Sequence, residues 1–285
     1  MERSDLSSII ERASLSKKPE IYFVTRAEPR VTIGENAAEG KSADPSHPSR
    51  RLGIFSGSFN PVTTAHVELV RAASRQFRLD EILALVGTSN ADKRRYEAPL
   101  EDRLQMLILA LTEEGALSEL SSEEHSQMDE RSSPNLNCPA ISIGICTTAF
   151  FVDMADAVLS VYPSGTDLYF VMGVDTFVRV LDSEGKYLEK YQRRFSNARL
   201  ALEYLLSKAR LIVAERVYPG CQGARQMLLH HTQVWADRIL FMNFPLDLSE
   251  QSATKVREAI RQGCSIDGLV PAVVAEYIRV QKLYA

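Results

Sequence analysis

The stretch GSFNPVTTAH, residues 57–66, connects a short apolar run to a helical pattern and places a histidine where the helix begins. The run before it, RLGIF, is typical of a buried strand. The apolar residues after it recur at helical spacing: Val67, Leu69, Val70, Ala73 and Phe77. Glycine and proline within the stretch indicate a loop, and Thr63 or Thr64 can cap the helix. A strand–loop–helix junction directs free backbone N–H groups and the positive end of a helix dipole at one point, which predicts a site for an anion, most often a phosphate.

From residue 52 onward, apolar strands alternate with amphipathic helices. The predicted strands are 52–56, 81–87, 141–146, 167–172, 209–214 and 238–243. The predicted helices are 64–77, 100–112, 150–161, 174–182, 196–207, 252–262 and 270–281. Such alternation is typical of a parallel sheet with helices on both faces. The sequence therefore predicts an α/β fold with a Rossmann-like doubly wound parallel sheet.

The sequence predicts two parts of unequal size. Residues 1–50 form an N-terminal extension and linker, with room for one or two short strands in 20–34 and linker composition in 35–50. Residues 51–285 form the main domain. Within it, residues 113–137 are acidic, rich in serine and almost free of large apolar side chains, which predicts a flexible surface insertion.

Composition and charge argue against several classes of protein. The 285 residues carry a formal net charge of −4, without the basic footprint that is typical of nucleic-acid binding. No apolar run reaches membrane-spanning length. The four cysteines are scattered without a CxxC spacing, which argues against a metal site or a disulfide and favours a reducing compartment, cytoplasmic or nuclear. We therefore expect no nucleic-acid partner and no membrane partner; the sequence does not determine the oligomeric state.

Ligands of a doubly wound sheet bind beyond the carboxyl ends of its strands, and four segments fall there: 57–66, 87–103, 173–179 and 249–257. Each has a structural explanation as well as a functional one. A lone histidine such as His66 is more often a satisfied helix residue than a ligand-binding one. Lys93 begins a run of three cations that is typical of a solvated face, and Gly173 with Asp175 suits a tight turn.

The segment 249–257 is the most informative of the four. Ser252 and Thr254 begin a helix, and Arg257 follows one turn later. This arrangement suits an ordinary capped helix, but it also suits the binding of a di- or triphosphate. Two helix starts that suit phosphate at one sheet edge favour the functional interpretation.

These two segments also carry a family resemblance. GSFNPVTTAH resembles the [H/T]xxH signature of the nucleotidyltransferase superfamily, and SATKVR at 252–257 resembles its SxTxxR partner. The closer resemblance is to nicotinamide/nicotinate mononucleotide adenylyltransferases of eukaryotic type, whose first signature also reads GSFNP. GVDTF at 173–177 is similar to their G-x-D motif, and the C-terminal segment resembles theirs. SNADK at 89–93 and the DSEGKYLEKY stretch resemble the fungal Pof-type subgroup.

The resemblance, which spans about residues 52–285, implies a nucleotidyltransferase-type sheet and adenylyl transfer. A mononucleotide 5′-phosphate attacks the α-phosphorus of the co-substrate ATP, and pyrophosphate leaves. Mg²⁺ is the implied cofactor, held mainly by the phosphates rather than by protein ligands, and no protein nucleophile is implied. The expected small-molecule partners are ATP and a pyridine mononucleotide.

The resemblance also implies roles for individual residues. His66, Lys93 and Arg257 are the implied catalytic residues, contacting or steering phosphates. The implied substrate-binding residues are Gly57, Ser58, Phe59 and Thr63 in the first signature, Gly173 and Asp175 for adenosine, and Ser252 and Thr254 for the β- and γ-phosphates. Family members often stack the pyridine ring on tryptophan, but Trp235 lies outside every motif and is assigned to packing. Phe150 and Phe151 are alternative platforms, with burial in the core as the other explanation.

Three functions remain open from the sequence. The first is synthesis of NAD or its deamido form from a pyridine mononucleotide. The second is another nucleotidyl transfer, by a phosphopantetheine adenylyltransferase or a cytidylyltransferase. The third is binding or hydrolysis of ATP with little transferase activity.

Overall fold

A computed structural model describes residues 3–27, 50–88, 96–111, 139–182, 185–187, 194–215, 235, 237–244, 248 and 251–285. The predicted insertion at 113–137, most of the predicted linker and Lys93 lie outside these residues. The division of the chain at residue 50 stays a prediction.

In the described residues seven strands form one sheet, and six of them run parallel. The strands are β1 Ile21–Thr25, β2 Arg51–Gly57, β3 Glu81–Gly87, β4 Ala140–Cys146, β5 Asp167–Gly173, β6 Ala209–Glu215 and β7 Ile239–Asn243. Their order is β1-β4-β3-β2-β5-β6-β7, so the direction of winding reverses between β2 and β5. The predicted doubly wound α/β fold is confirmed, with all six predicted strands in place.

The helices lie on both faces of the sheet. They are α1 Arg3–Leu15, α2 Thr64–Phe77, α3 Leu100–Leu111, α4 Phe151–Leu159, α5 Val174–Leu181, α6 Ala198–Lys208, α7 Ala253–Arg261 and α8 Ala272–Gln281. Buried side chains of α1, α2, α3, α7 and α8 share one core layer, and those of α4, α5 and α6 share the other. Successive strand residues face opposite layers, as Ile54 and Phe55 do, which fixes the register of β2.

The N-terminal segment adds to the sheet rather than standing apart from it. Strand β1, within the segment expected to hold one or two strands, pairs antiparallel with β4 at the sheet edge. Helix α1, which was not predicted, buries Leu6 and Ala13 against the same core layer as α2. The close approach of β1 depends on Gly144, because a Cβ atom there would lie 2.9 Å from the Tyr22 carbonyl oxygen.

We predict that Gly144→Ala lowers the free energy of unfolding by about 1–3 kcal/mol, because an added methyl group forces the backbone of β1 to shift. Urea denaturation measures this change. Gly173→Ala is the matched control, since Gly173 has a φ of −82° and open space around an added Cβ. Equal stabilities of the two variants would contradict the prediction.

Candidate active site

A cavity of about 350 Å³ opens at the carboxyl ends of β2 and β5, where the strand order reverses. This is the place at which doubly wound sheets bind ligands. The predicted site residues that line it are Gly57, Ser58, Phe59, Thr63, His66, Gly173, Asp175 and Ser252. Thr254 and Arg257 lie outside the lining. The fold thus brings three distant sequence segments to one cavity, as the motifs predicted.

The His66 ring is oriented by the first turn of α2. The Thr63 hydroxyl oxygen accepts the His66 N–H at 3.3 Å, and His66 Nδ1 accepts the Thr63 N–H at 3.0 Å. Because a backbone N–H can only donate, Nδ1 carries no proton and the ring proton lies on Nε2. The rings of Phe55 and Phe59 lie 6.0 and 5.5 Å from the imidazole, centroid to centroid. His66 therefore presents an Nε2–H donor on a side chain that lines the cavity.

The backbone amides at the start of α2 already have partners within the protein. The Thr64 N–H donates to Leu269 O at 3.0 Å, and the Ala65 N–H donates to Gln251 Oε1 at 3.2 Å. The His66 N–H is held by Thr63, as described above. The prediction of free amide donors at this helix start is therefore wrong, because the C-terminal segment packs against it.

Three other helices begin at the cavity. Helix α4 starts after Phe150 and α5 starts after Gly173, and no described side chain caps either helix. Helix α7 starts after Ser252, whose Oγ accepts the Lys255 N–H at 3.2 Å. Their dipoles carry partial positive charge at these N-termini. The field that attracts an anion thus comes from several helices rather than from α2 alone.

Arg257 lies behind the loop that follows β2. The residue is only 7% exposed; its Nη1 donates to Asn60 O at 2.6 Å and its Nη2 donates to Thr254 Oγ1 at 3.2 Å. Its Nε lies 2.8 Å from Glu97 Oε1, close enough for an ion pair but misaligned for a hydrogen bond. Burial acts to raise the pKa of Glu97, but the hydrogen bond from Arg261 and the charges of Arg257 and Arg261 outweigh it and lower that pKa. Arg257 thus ties α7 to the loop, and its contact with terminal phosphates stays a prediction.

A second buried guanidinium supports the other end of this loop. Arg103 is 2% exposed, and its Nη1 donates to Ser58 O at 2.9 Å and to Gly87 O at 3.2 Å. Its Cζ lies 3.8 Å from the centroid of the Tyr96 ring. Burial lowers the pKa of this guanidinium. Its carbonyl partners, Ser58 O and Gly87 O, follow β2 and end β3, so it places positive charge beside the ends of these strands.

One wall of the cavity is aromatic. The rings of Phe150 and Tyr187 lie 6.5 Å apart, centroid to centroid, and both residues line the cavity. Tyr187 is positioned by its backbone N–H, which donates to Asp182 Oδ2 at 3.0 Å. Phe151 also lines the cavity but packs edge-on against Phe170, at 5.1 Å between centroids. Phe150 and Tyr187 are therefore better placed than Phe151 to contact a planar ligand.

Sequence reasoning missed Arg103, Tyr187 and Gln251. Arg103 carried a signal, because it falls on the apolar side of the predicted helix 100–112. Tyr187 and Gln251 carried none, since their roles depend on contacts with segments far away in the sequence. Trp235 packs against the core layer of α4, α5 and α6, in agreement with the role predicted for it.

The sequence was compared with protein-family models and with known proteins. A cytidylyltransferase-like family model matches residues 54–259. A protein of Geobacter sulfurreducens named "Probable nicotinate-nucleotide adenylyltransferase" is 27% identical over 248 residues, covering 82% of this chain and 98% of the relative. A protein of the same name from Lachnoclostridium phytofermentans is 26% identical, covering 80% of this chain and 96% of the relative.

Two solved structures share the fold. Both are of the Plasmodium falciparum nicotinic acid mononucleotide adenylyltransferase, one complexed with APC and one with NaAD. They align with TM-scores of 0.51 and 0.53 at 17% identity, covering 82% of this chain and 97% of each structure. The fold is that of a nucleotidyltransferase. The chain belongs to the cytidylyltransferase-like family, whose model matches well over half of its length. The narrower resemblance to the Pof-type subgroup stays a prediction.

Proposed function

We propose that this protein transfers the adenylyl group of ATP to nicotinamide or nicotinate mononucleotide, giving NAD or deamido-NAD and pyrophosphate. The observation that carries the proposal is the capped His66, which lines the same cavity as Gly57, Ser58 and Ser252. The names of the relatives, nicotinate-nucleotide adenylyltransferases, support the same substrate class.

The chemistry needs positioning and positive charge more than it needs a protein nucleophile. The mononucleotide phosphate attacks the α-phosphorus, and negative charge grows on the oxygen that bridges the α- and β-phosphates. A donor that is already aimed stabilises this charge without reorganisation. His66 supplies such a donor, because Thr63 holds its ring and fixes the proton on Nε2.

The remaining site residues divide the cavity between the two substrates. Gly173 and Asp175 bind adenosine in this proposal, and Ser252 and Thr254, together with Lys93, bind or steer phosphates. The hydroxyl and backbone groups of the lining suit phosphate oxygens, and the described residues hold no cluster of three or more metal-ligating side chains. In this proposal Mg²⁺, the cofactor that the family resemblance implies, would be held mainly by the phosphates and would neutralise charge on the leaving pyrophosphate.

We also propose that the pyridine ring lies against the wall formed by Phe150 and Tyr187. Planar rings pack favourably against aromatic faces and edges. This wall takes the place of the tryptophan that family members often use, since Trp235 is absent from the cavity lining. Transfer of a cytidylyl group, or of an adenylyl group to phosphopantetheine, is the second candidate function. The acceptors of those reactions have no pyridine ring to place against this wall.

No described helix is long and apolar enough to cross a membrane. The cytoplasmic or nuclear location expected from the cysteine pattern, and the absence of a nucleic-acid partner, remain proposals.

The purified protein with ATP, Mg²⁺ and either pyridine mononucleotide is expected to form the matching dinucleotide and pyrophosphate. Chromatography of the products tests this directly, and comparison of the two rates gives the preference for nicotinate or nicotinamide. Parallel reactions test the second candidate: one contains ATP and phosphopantetheine, and the other contains CTP and a phosphate monoester as the acceptor. Release of ADP or AMP without any dinucleotide would refute the transferase proposal.

A further inference from the structure

The loop 57–61 is held by hydrogen-bond donors from three distant parts of the chain, none of which lines the cavity. Arg103 of α3 donates to Ser58 O, and Arg257 of α7 donates to Asn60 O. The third donor is the hydroxyl of Tyr284, the penultimate residue, which lies 2.8 Å from Asn60 Oδ1. The first two bind backbone carbonyls, whereas Tyr284 binds the one side chain of the loop that is both polar and buried.

The backbone conformation of residues 282–284, which follow helix α8, places this hydroxyl beside Asn60. Lys282, the C-cap residue of helix α8, has the left-handed conformation, and the Leu283 N–H donates to Ile278 O at 3.0 Å. Tyr284 itself has a φ of +66°, a conformation that is costly for an aromatic residue and persists only where other contacts compensate. Burial raises the pKa of the Tyr284 phenol, so the group stays protonated and able to donate.

The contact also fixes the side chain of Asn60. Its Oδ1 accepts two donors, the Tyr284 hydroxyl at 2.8 Å and the Ala98 N–H at 3.2 Å. The Ala98 N–H can only donate, so it determines which amide atom is the oxygen, and the Tyr284 hydroxyl therefore donates to the same atom. Asn60 is thereby joined to Ala98, to Arg257 of α7 and to Tyr284 at once, while Gly57, Ser58 and Phe59 of the same loop line the cavity.

We propose that Tyr284 is a positioning residue: its hydroxyl holds Asn60 and so keeps the substrate-facing loop in its reactive geometry. The residue does not line the cavity and acts only through the loop. The kinetic part of this proposal rests on the proposed adenylyl transfer, but the effect on the loop does not.

Tyr284→Phe removes only the hydroxyl, and the chain offers a matched control. Tyr277, on α8, also donates its hydroxyl at 2.8 Å, but to Asp102 Oδ1 on α3 rather than to a residue of the loop. Each phenylalanine variant removes one hydroxyl and keeps the aromatic ring, so both should lower Tm by a similar amount, about 2–4 °C. A merely structural role for Tyr284 would make the two variants alike in every other respect.

Two measurements separate positioning from stability. Hydrogen–deuterium exchange of the peptide that covers residues 56–62 should be faster in Tyr284→Phe and unchanged in Tyr277→Phe. Turnover to the dinucleotide should fall about 3- to 10-fold in Tyr284→Phe, mainly in kcat, and stay at the wild-type value in Tyr277→Phe.

The two proposals fail separately. If the wild-type protein forms no dinucleotide, the proposed function is refuted, and the exchange comparison alone still decides the role of Tyr284. If the wild type is active and the two variants match in loop exchange and in turnover, the positioning role is overturned and the proposed function stands.

Discussion

His66→Ala is expected to lower turnover by about 10²- to 10³-fold, the range seen when one donor to a developing oxyanion is removed. The substitution removes the Nε2–H that the Thr63 cap holds in place at the cavity. It also removes the acceptor for the Thr63 N–H, so a loss of about 1 kcal/mol in stability accompanies it. Steady-state kinetics and thermal unfolding on one preparation measure both effects.

The variant His66→Glu separates the cap from the donor. Threonine at the N-cap followed by glutamate three residues later forms a capping box, so glutamate restores the acceptor for the Thr63 N–H. Glutamate has no proton to donate at neutral pH, and its charge repels phosphate. We therefore expect near wild-type stability with activity as low as in His66→Ala. If His66→Glu kept most of the activity, His66 would be a capping residue only.

Arg257→Met is expected to lower the free energy of unfolding by about 2–3 kcal/mol, because it leaves the buried Asn60 carbonyl without its charged donor. Methionine keeps much of the side-chain volume, so the loss reports the polar contacts. Arg261→Met is the matched control, since Arg261 pairs with the same carboxylate of Glu97 from an exposed position. Its loss should stay below about 1 kcal/mol, as is usual for exposed ion pairs.

The same variant tests the role in ATP binding that the SxTxxR resemblance implies for Arg257. If its guanidinium also contacts terminal phosphates, the affinity for ATP falls about tenfold or more while the affinity for AMP changes much less. Isothermal titration with both nucleotides makes the comparison. Equal losses for ATP and AMP would mean that Arg257 acts only through the loop that it holds. Unfolding that is no easier than in Arg261→Met would contradict the structural role.

The sequence predicted correctly which motifs meet at the cavity, but it did not predict the hydrogen-bond partners of their residues. Four of the predicted site residues were placed at one sheet edge by the sequence, and all four line the cavity: Gly57, Ser58, Gly173 and Ser252. That expectation rested on a general property of parallel sheets, in which the carboxyl ends of the strands lie together. The expectation that α2 offers free amides was wrong, because the same property says nothing about the side chains that pack against a helix start.

The sequence by itself determined β2 to β7, α2 to α8 and the segments that meet at the cavity. These features follow from hydrophobic periodicity and turn residues, which act between neighbours in the chain. Only the tertiary structure decided the partners of individual polar groups. Arg257 bonds to Asn60 across 197 residues and Tyr284 bonds to it across 224, and Gln251 reaches the amide of Ala65 across 186. Such hydrogen bonds require the two partners to be positioned to within a few tenths of an ångström. This precision arises only when the helices are packed against the sheet.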